Sequence, residues 1–293
     1  MKTNSWIITW IKIIFIIVLI IISFYIICFG FEYTNSKITN VFNKSQKIIK
    51  YEDFKRTYPS KTTKPIYIFY HICTQNEWKD IVEEQMKTII DSGLYEKATK
   101  IYYGCNCSLC DVELDEFFRP YDKATPSILS PDTKTYENLT MNEMIQFSKN
   151  NPDSYILYIH TKGTTKRSIS QIGWRNYMMY WLVDRHQIAI DSLDRGFHTV
   201  GTFYINNRFI NLMNIPIHYS GNFFWSTGEY LCRVPFIEKV EDRYHAEFTL
   251  LKSYETGKHI NINNKSYLSP YSLGLYVFSP SIDSNSNPDL VIF

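Results

Sequence analysis

Two short runs constrain this chain most. Ile66–Cys73 reads IYIFYHIC and Tyr155–His160 reads YILYIH. Neither alternates apolar with polar residues, as a strand with one wet face would. An unbroken apolar run of this length fits a strand covered on both faces, and such strands belong to largely parallel sheets flanked by helices. Between and after these runs the period changes. Glu77–Ser92 carries Trp78, Ile81, Val82, Met86, Ile89 and Ile90 at helical spacing, and Gly93 ends it. Thr99–Gly104 reads as a second strand and Asn142–Lys149 as a short helix. Trp174–Ser192 reads as a long amphipathic helix, Thr199–Tyr204 as a fourth strand and Asn222–Trp225 as a fifth. Strands alternating with helices predict an α/β domain with a mostly parallel, Rossmann-like sheet. Ligands of such sheets bind beyond the carboxyl ends of the strands, which places the expected site just after Cys73, Gly104 and His160.

A second run lies near the start. Trp6–Phe29 is a predominantly apolar run interrupted by one charge, Lys12. About 20 apolar residues cross a bilayer, so this segment predicts one transmembrane helix. It exceeds the apolar stretch of a signal peptide, and no A-x-A-like cleavage site follows it, which favours an uncleaved anchor. Lys and Arg nearly tie on the two sides, so charge does not orient it. A short N-terminus before an anchor most often stays in the cytosol, which leaves the C-terminal domain lumenal. The N-x-S/T sequons at Asn43, Asn106, Asn138 and Asn264 permit that placement. The expected division is residues 1–5 as a tail, 6–29 as the anchor, 30–64 as a stalk, 65–280 as the domain and 281–293 as a second tail.

Composition removes some classes. With 31 basic and 29 acidic residues the net charge is +2, which gives no electrostatic argument for nucleic acid. A chain 45% hydrophobic and 20% charged is not disordered. Six Cys in 293 residues do not make a disulfide scaffold. Cys105, Cys107 and Cys110 cluster, but zinc takes four ligands and no nearby pair completes the set. In a lumenal domain disulfides are the stronger reading, with their pairing open.

Three segments carry groups suited to chemistry. His160-Thr161-Lys162-Gly163 ends the third strand and is followed by Trp174-Arg175. Lys162 offers a point charge for an anion, and His160 offers a hydrogen-bond donor or a metal ligand. Alone, this motif reads more readily as a solvated basic turn. Gly221-Asn222-Phe223-Phe224-Trp225 joins a turn to three aromatics. Asn222 can donate to and accept from sugar hydroxyls, and Trp225 can pack on a ring; a buried strand is the alternative, preferred for Phe223 and Phe224. Asp242-Arg243-Tyr244-His245-Ala246-Glu247 brings two acids, an Arg and a His together at an expected helix start. It reads either as a surface ion pair of Arg243 with Glu247 or as a carboxylate base beside a cation.

In their order, IYIFYHIC, YILYIHTKG, WRNYMMYWLVD, VGTFY, YSGNFFW and the acidic block ending at Glu247 resemble the rhamnan synthesis protein F group of glycosyltransferases. Related HTK-type enzymes occur in large DNA viruses and bacteria. The resemblance covers about Ile66 to Leu251. It implies a GT-A-like fold and transfer from a nucleotide-sugar donor to a glycan or glycoprotein acceptor. It also makes the HTKG loop functional rather than bland, and places a nucleotide pocket at His71 to Asn76. GT-A enzymes commonly carry an Asp-x-Asp metal motif where this chain has His160-Thr161-Lys162. No metal ligand is therefore assigned, the cofactor is unknown, and Mn²⁺ or Mg²⁺ dependence stays open. Lys162, Arg175 and Arg243, with His160, would meet the donor diphosphate instead. If the reaction inverts, Glu247, or second Asp242, would deprotonate the acceptor, while Asn222 and Trp225 would hold sugar. The alternatives are a non-catalytic glycan-binding relative and a structural membrane protein.

Overall fold

The computed structural model describes residues 47–59, 64–106, 110–165, 168–205, 216–262 and 287–292. The expected span Trp6–Phe29 and the sequons at Asn43 and Asn264 lie outside them. Among the described residues no helix is long and apolar enough to cross a membrane. The chain divides into two compact units, 1–47 and 48–293, and the described residues belong to the second apart from Lys47, which opens its first strand.

The expected α/β fold is present. Its elements run β1 (Lys47–Lys50), α1 (Tyr51–Thr57), β2 (Ile66–Ile72), α2 (Trp78–Asp91), α3 (Leu94–Lys97), β3 (Ala98–Asn106), α4 (Cys110–Phe118) and β4 (Ala124–Ser130). They continue with α5 (Asn138–Asn150), β5 (Tyr155–His160), α6 (Ile169–Met179), a π-turn (Tyr180–Asp184) and α7 (His186–Asp194). The rest is β6 (Thr199–Gly201), β7 (Tyr204–Ile205), β8 (His218–Tyr219), β9 (Phe224–Thr227), α8 (Gly228–Leu231), α9 (His245–Thr249), β10 (His259–Ile262) and β11 (Asp289–Ile292). One sheet has the order β1-β11-β10-β6-β9-β5-β2-β3-β4, and β7 pairs separately with β8.

The β5-β2-β3-β4 half of the sheet is parallel throughout. Strand β9 runs antiparallel to both β5 and β6, and β11 runs antiparallel to β10. From β2 the chain winds to β3 and β4 on one side, then returns to β5 on the other. The switch point of the sheet therefore lies between β2 and β5, where an open α/β sheet splays its loops apart.

Alternation along each strand sorts the residues into two layers. Ile68, Tyr70, Leu157, Ile159, Val200 and Trp225 face one layer, covered by α1, α2, α6 and α7. Phe69, Ile156, Tyr158 and Phe224 face the other, covered by α5, α8 and α9. Both faces are dry, which is why these strands read as unbroken apolar runs.

Three differences from the sequence expectation follow from packing. The helix expected over Trp174–Ser192 begins at Ile169, capped by Ser168, whose side chain accepts from the Gln171 amide. It is broken by the π-turn, where the Trp225 indole donates to the Leu182 carbonyl at 2.7 Å. The helix expected from Asp242 holds α-form only over His245–Thr249 and continues as a 3₁₀ helix. The domain also exceeds residues 65–280. In the expected stalk, Tyr51 and Phe54 are buried in the core, and in the expected tail Asp289–Ile292 forms a strand of the main sheet.

Candidate functional site

Strands β2 and β5 are in register with His71 opposite His160, the last pair of their ladder. Both histidines share a face with Phe69 and Tyr158, because residues two apart in a strand point the same way. Beyond them opens a cavity of about 370 Å³. Its lining includes His71, Glu137, His160, Lys162, Asn222, Arg243 and Glu247.

The floor is a hydrogen-bonded network. His71 Nδ1 meets Thr140 Oγ1 of α5 at 2.8 Å. Thr140 reaches it across Gly104 of β3, where a Cβ would collide with the threonine side chain. Glu137 Oε2 accepts from Tyr158 Oη at 2.8 Å and from Asn222 Nδ2 at 3.0 Å. His160 Nε2 lies 3.0 Å from the Gly221 carbonyl, a contact that needs the proton on Nε2. The Gly221 amide donates to Glu247 Oε1 at 2.7 Å. The Gly221-Asn222 turn is thus strapped from both sides, by His160 and Glu247 at the glycine and by Glu137 at the asparagine.

That turn fits few other sequences. Gly221 has φ +96° and Asn222 φ +54°. A Cβ on Gly221 would lie 2.6 Å from Met178 Sδ and 2.8 Å from Trp174 Nε1. Glycine supplies both the backbone freedom and the space, and Asn is among the few side chains that tolerate positive φ.

The loop after β5 is similarly fixed. The Thr161 amide donates to the His71 carbonyl, and Thr161 Oγ1 accepts from the Cys73 amide. The half-buried Lys162 lays its ammonium 3.7 Å from the centre of the Trp174 ring, a cation–π contact.

Burial and charge set the protonation states. Burial pushes the His71 imidazole down to about 4, against the pull of Glu137. Burial lowers His160 as well, again opposed by Glu137. For Glu137 burial would raise the carboxyl, but His160, His71 and the bonds from Tyr158 and Asn222 outweigh it and hold it below its ordinary value. Burial lowers Lys162, and Glu247 and Glu137 restore part of the loss. At neutral pH the floor therefore holds an ionised Glu137 between two neutral imidazoles.

Of the residues singled out from the sequence, His160, Lys162, Asn222, Arg243 and Glu247 meet in this one cavity. Three do not join the lining. Trp225 points to the opposite face of the sheet, fully buried, because it is an odd number of strand positions from Phe224. Arg175 is buried under the HTKG loop. Its guanidinium grips Glu84 at 2.9 Å and 3.3 Å and donates to the Lys162 carbonyl at 2.9 Å. It braces Lys162 instead of facing a ligand. Asp242 is exposed, accepts from the Tyr244 amide and pairs with His245 at 3.3 Å. The residue the sequence did not point to is Glu137. It stands alone in Thr135-Tyr136-Glu137-Asn138, a polar segment without a motif, and only the packing of α5 onto the sheet brings it to His71 and His160.

Two sequons are also accounted for. Asn138 is fully buried and donates to the Val240 and Asp242 carbonyls, and Asn106 is buried at the cavity wall. Neither side chain is open to a glycan in the folded state. Cys105 is disulfide-bonded, whereas Cys73 and Cys232 are thiols. Among the described residues, no group of three or more His, Cys, Asp or Glu is placed to hold a metal ion.

Comparison with known proteins adds little on activity. A solved structure of 4-diphosphocytidyl-2C-methyl-D-erythritol synthase from Anaerococcus prevotii DSM 20548 is similar at a TM-score of 0.32 and 10% identity, over 66% of this chain and 83% of that one. A likeness this distant carries no argument about chemistry. No curated protein matches the sequence. Residues 68–289 match the family model described as a domain of unknown function, DUF8361. Since that match takes in most of the chain, the protein belongs to the DUF8361 family.

Proposed function

We propose that this protein is a glycosyltransferase that moves a sugar from a nucleotide-sugar donor to a glycan or glycoprotein acceptor, anchored in a membrane by Trp6–Phe29 with its domain lumenal. Kinship with the rhamnan synthesis protein F group is part of the proposal. One observation carries it: at the switch point of the sheet, a single cavity holds Lys162 and Arg243 together with two carboxylates, Glu137 and Glu247.

Glycosyl transfer needs both signs of charge. The bond from the anomeric carbon to the diphosphate breaks, and negative charge grows on the departing oxygen. Lys162, lowered onto the Trp174 face and partly desolvated, is a preorganised cation for that charge, and Arg243 is a second. The acceptor hydroxyl loses its proton as it attacks, and Glu247 is the base, with one oxygen oriented by the Gly221 amide. Glu137 serves through Asn222, which it holds in place for sugar hydroxyls.

The test is a melt of the full chain in detergent against a panel of nucleoside diphosphates and nucleotide sugars, with and without Mn²⁺. A ligand at 100 times its Kd stabilises by about 2.7 kcal/mol. One nucleotide is expected to raise the melting temperature, and Lys162→Met to abolish the rise. With the donor known, the same variant should lose about 2–4 kcal/mol of transition-state stabilisation. A folded wild-type protein that answers to no nucleotide overturns the reading.

A further inference from the structure

The mouth of the cavity is built differently from its floor. Two tyrosines line it and remain open to solvent, Tyr136 at 39% and Tyr244 at 59% exposure. They are more than a hundred positions apart in sequence, and their segments are stapled together. The buried Asn138 donates through Nδ2 to the carbonyls of Val240 and Asp242. One helical turn on, Asn142 and Ile237 exchange two hydrogen bonds, at 2.8 Å and 3.0 Å. Asp242 then accepts from the Tyr244 amide at 2.9 Å.

Each ring has its own support. Tyr244 lies nearly parallel to Phe248, at 16° with centroids 6.3 Å apart. Tyr136 has φ +48° and ψ −137°, a backbone region that side-chain-bearing residues rarely enter. A glycine would sit there without strain, yet the position carries an exposed aromatic ring.

The neighbours of these rings select a ligand. Glu137 follows Tyr136 directly, and Glu247 stands one helical turn after Tyr244. Ionised carboxylates only accept hydrogen bonds, so they suit hydroxyl donors. Flat aromatic faces pack on the C–H face of a pyranose. Rings that stack, beside carboxylates that accept from hydroxyls, describe a site for a neutral polyhydroxylated ring; the same carboxylates also act on Lys162, the cation of the cavity that suits an anion.

We propose that Tyr136 and Tyr244 form a stacking platform for a hexopyranose ring of the acceptor, at the mouth of the cavity. This rests on the transferase reading for the word acceptor, and the test separates the two. The full chain in detergent is mixed with cellohexaose, chitohexaose or maltohexaose, and saturation transfer from protein to sugar protons is measured by NMR. Nucleoside diphosphate melts are run beside it.

Wild type is expected to saturate ring protons of at least one hexasaccharide. Tyr136→Ala and Tyr244→Ala should each weaken that binding about tenfold, the worth of one aromatic contact, while Trp at either position preserves it. Both side chains are exposed, so melting temperatures of the variants should stay close to wild type. Nucleotide shifts should be unchanged. Sugar binding lost with nucleotide binding kept supports the platform. Sugar binding that survives both alanines overturns it, as does a wild-type protein that binds none of the three sugars. Nucleotide binding lost in the tyrosine variants also overturns it, because the rings would then hold a base. If sugar binding follows the tyrosines but no nucleotide binds wild type, the platform stands and the transferase reading falls.

Discussion

A buried histidine that stays neutral acts on stability through the unfolded chain. His71 titrates near 4 in the fold and near 6.5 when unfolded. Between those values the unfolded state binds more protons, so stability rises with pH across that window and is level above it. Acidification from pH 7 to pH 4 should remove about 3 kcal/mol through this residue alone. Glu137 acts the same way lower down, since its depressed carboxyl loses its contribution as pH falls through its folded value. Urea melts of wild type and His71→Gln at several pH values check this. The variant curve should be flatter by that amount between pH 6.5 and 4, and parallel curves would refute it. Tyr136 offers a second measurement. Relief of its positive φ in Tyr136→Gly should raise stability by about 1 kcal/mol, net of the entropy that glycine adds to the unfolded chain. A destabilised glycine variant would show that the ring is held for packing.

At the scale of elements, the Gly221-Asn222 turn before β9 organises the site. Gly221→Ala adds a Cβ into Met178 and Trp174 at a left-handed φ. It should cost about 2–3 kcal/mol and displace the amide that Glu247 accepts from, which circular dichroism melts would measure. Strands β2 and β5 were legible in sequence because dry faces on both sides leave no polar alternation. Strand β4, ATPSILS, was not, for it is half-buried along its length and carries Pro126. Strands β10 and β11 are four residues each, too short for a period to show. The site divides in the same way. His160, Lys162, Asn222 and Glu247 sit in local patterns that residue chemistry picks out. Glu137 joins them only through the fold. Trp225 was misplaced because a run of three aromatics does not say which of them faces which layer; the pleat decides that.

Over the whole molecule, the core reaches further along the chain than the apolar runs do. Phe54 is fully buried, with Phe197 and Tyr58 against its ring, and the Tyr51 hydroxyl donates to Asp191. Phe54→Ala should therefore destabilise the domain by about 3–5 kcal/mol, as a large core cavity does, although the residue lies in a polar segment. A melt within 1 kcal/mol of wild type, as for a surface change, would show that α1 is an appendage. The sheet order carries a consequence for how the protein is made. Strand β11 lies between β10 and β1, so the seat for Lys47–Lys50 does not exist until residues 289–292 have left the ribosome. An early segment must wait, unpaired, for almost the entire domain to be synthesised. Completion of this sheet is thus timed to the end of translation. Phe54 waits less long, because Phe197, which packs on its ring, is made well before residues 289–292; what stays without its neighbour through that interval is the strand Lys47–Lys50 itself.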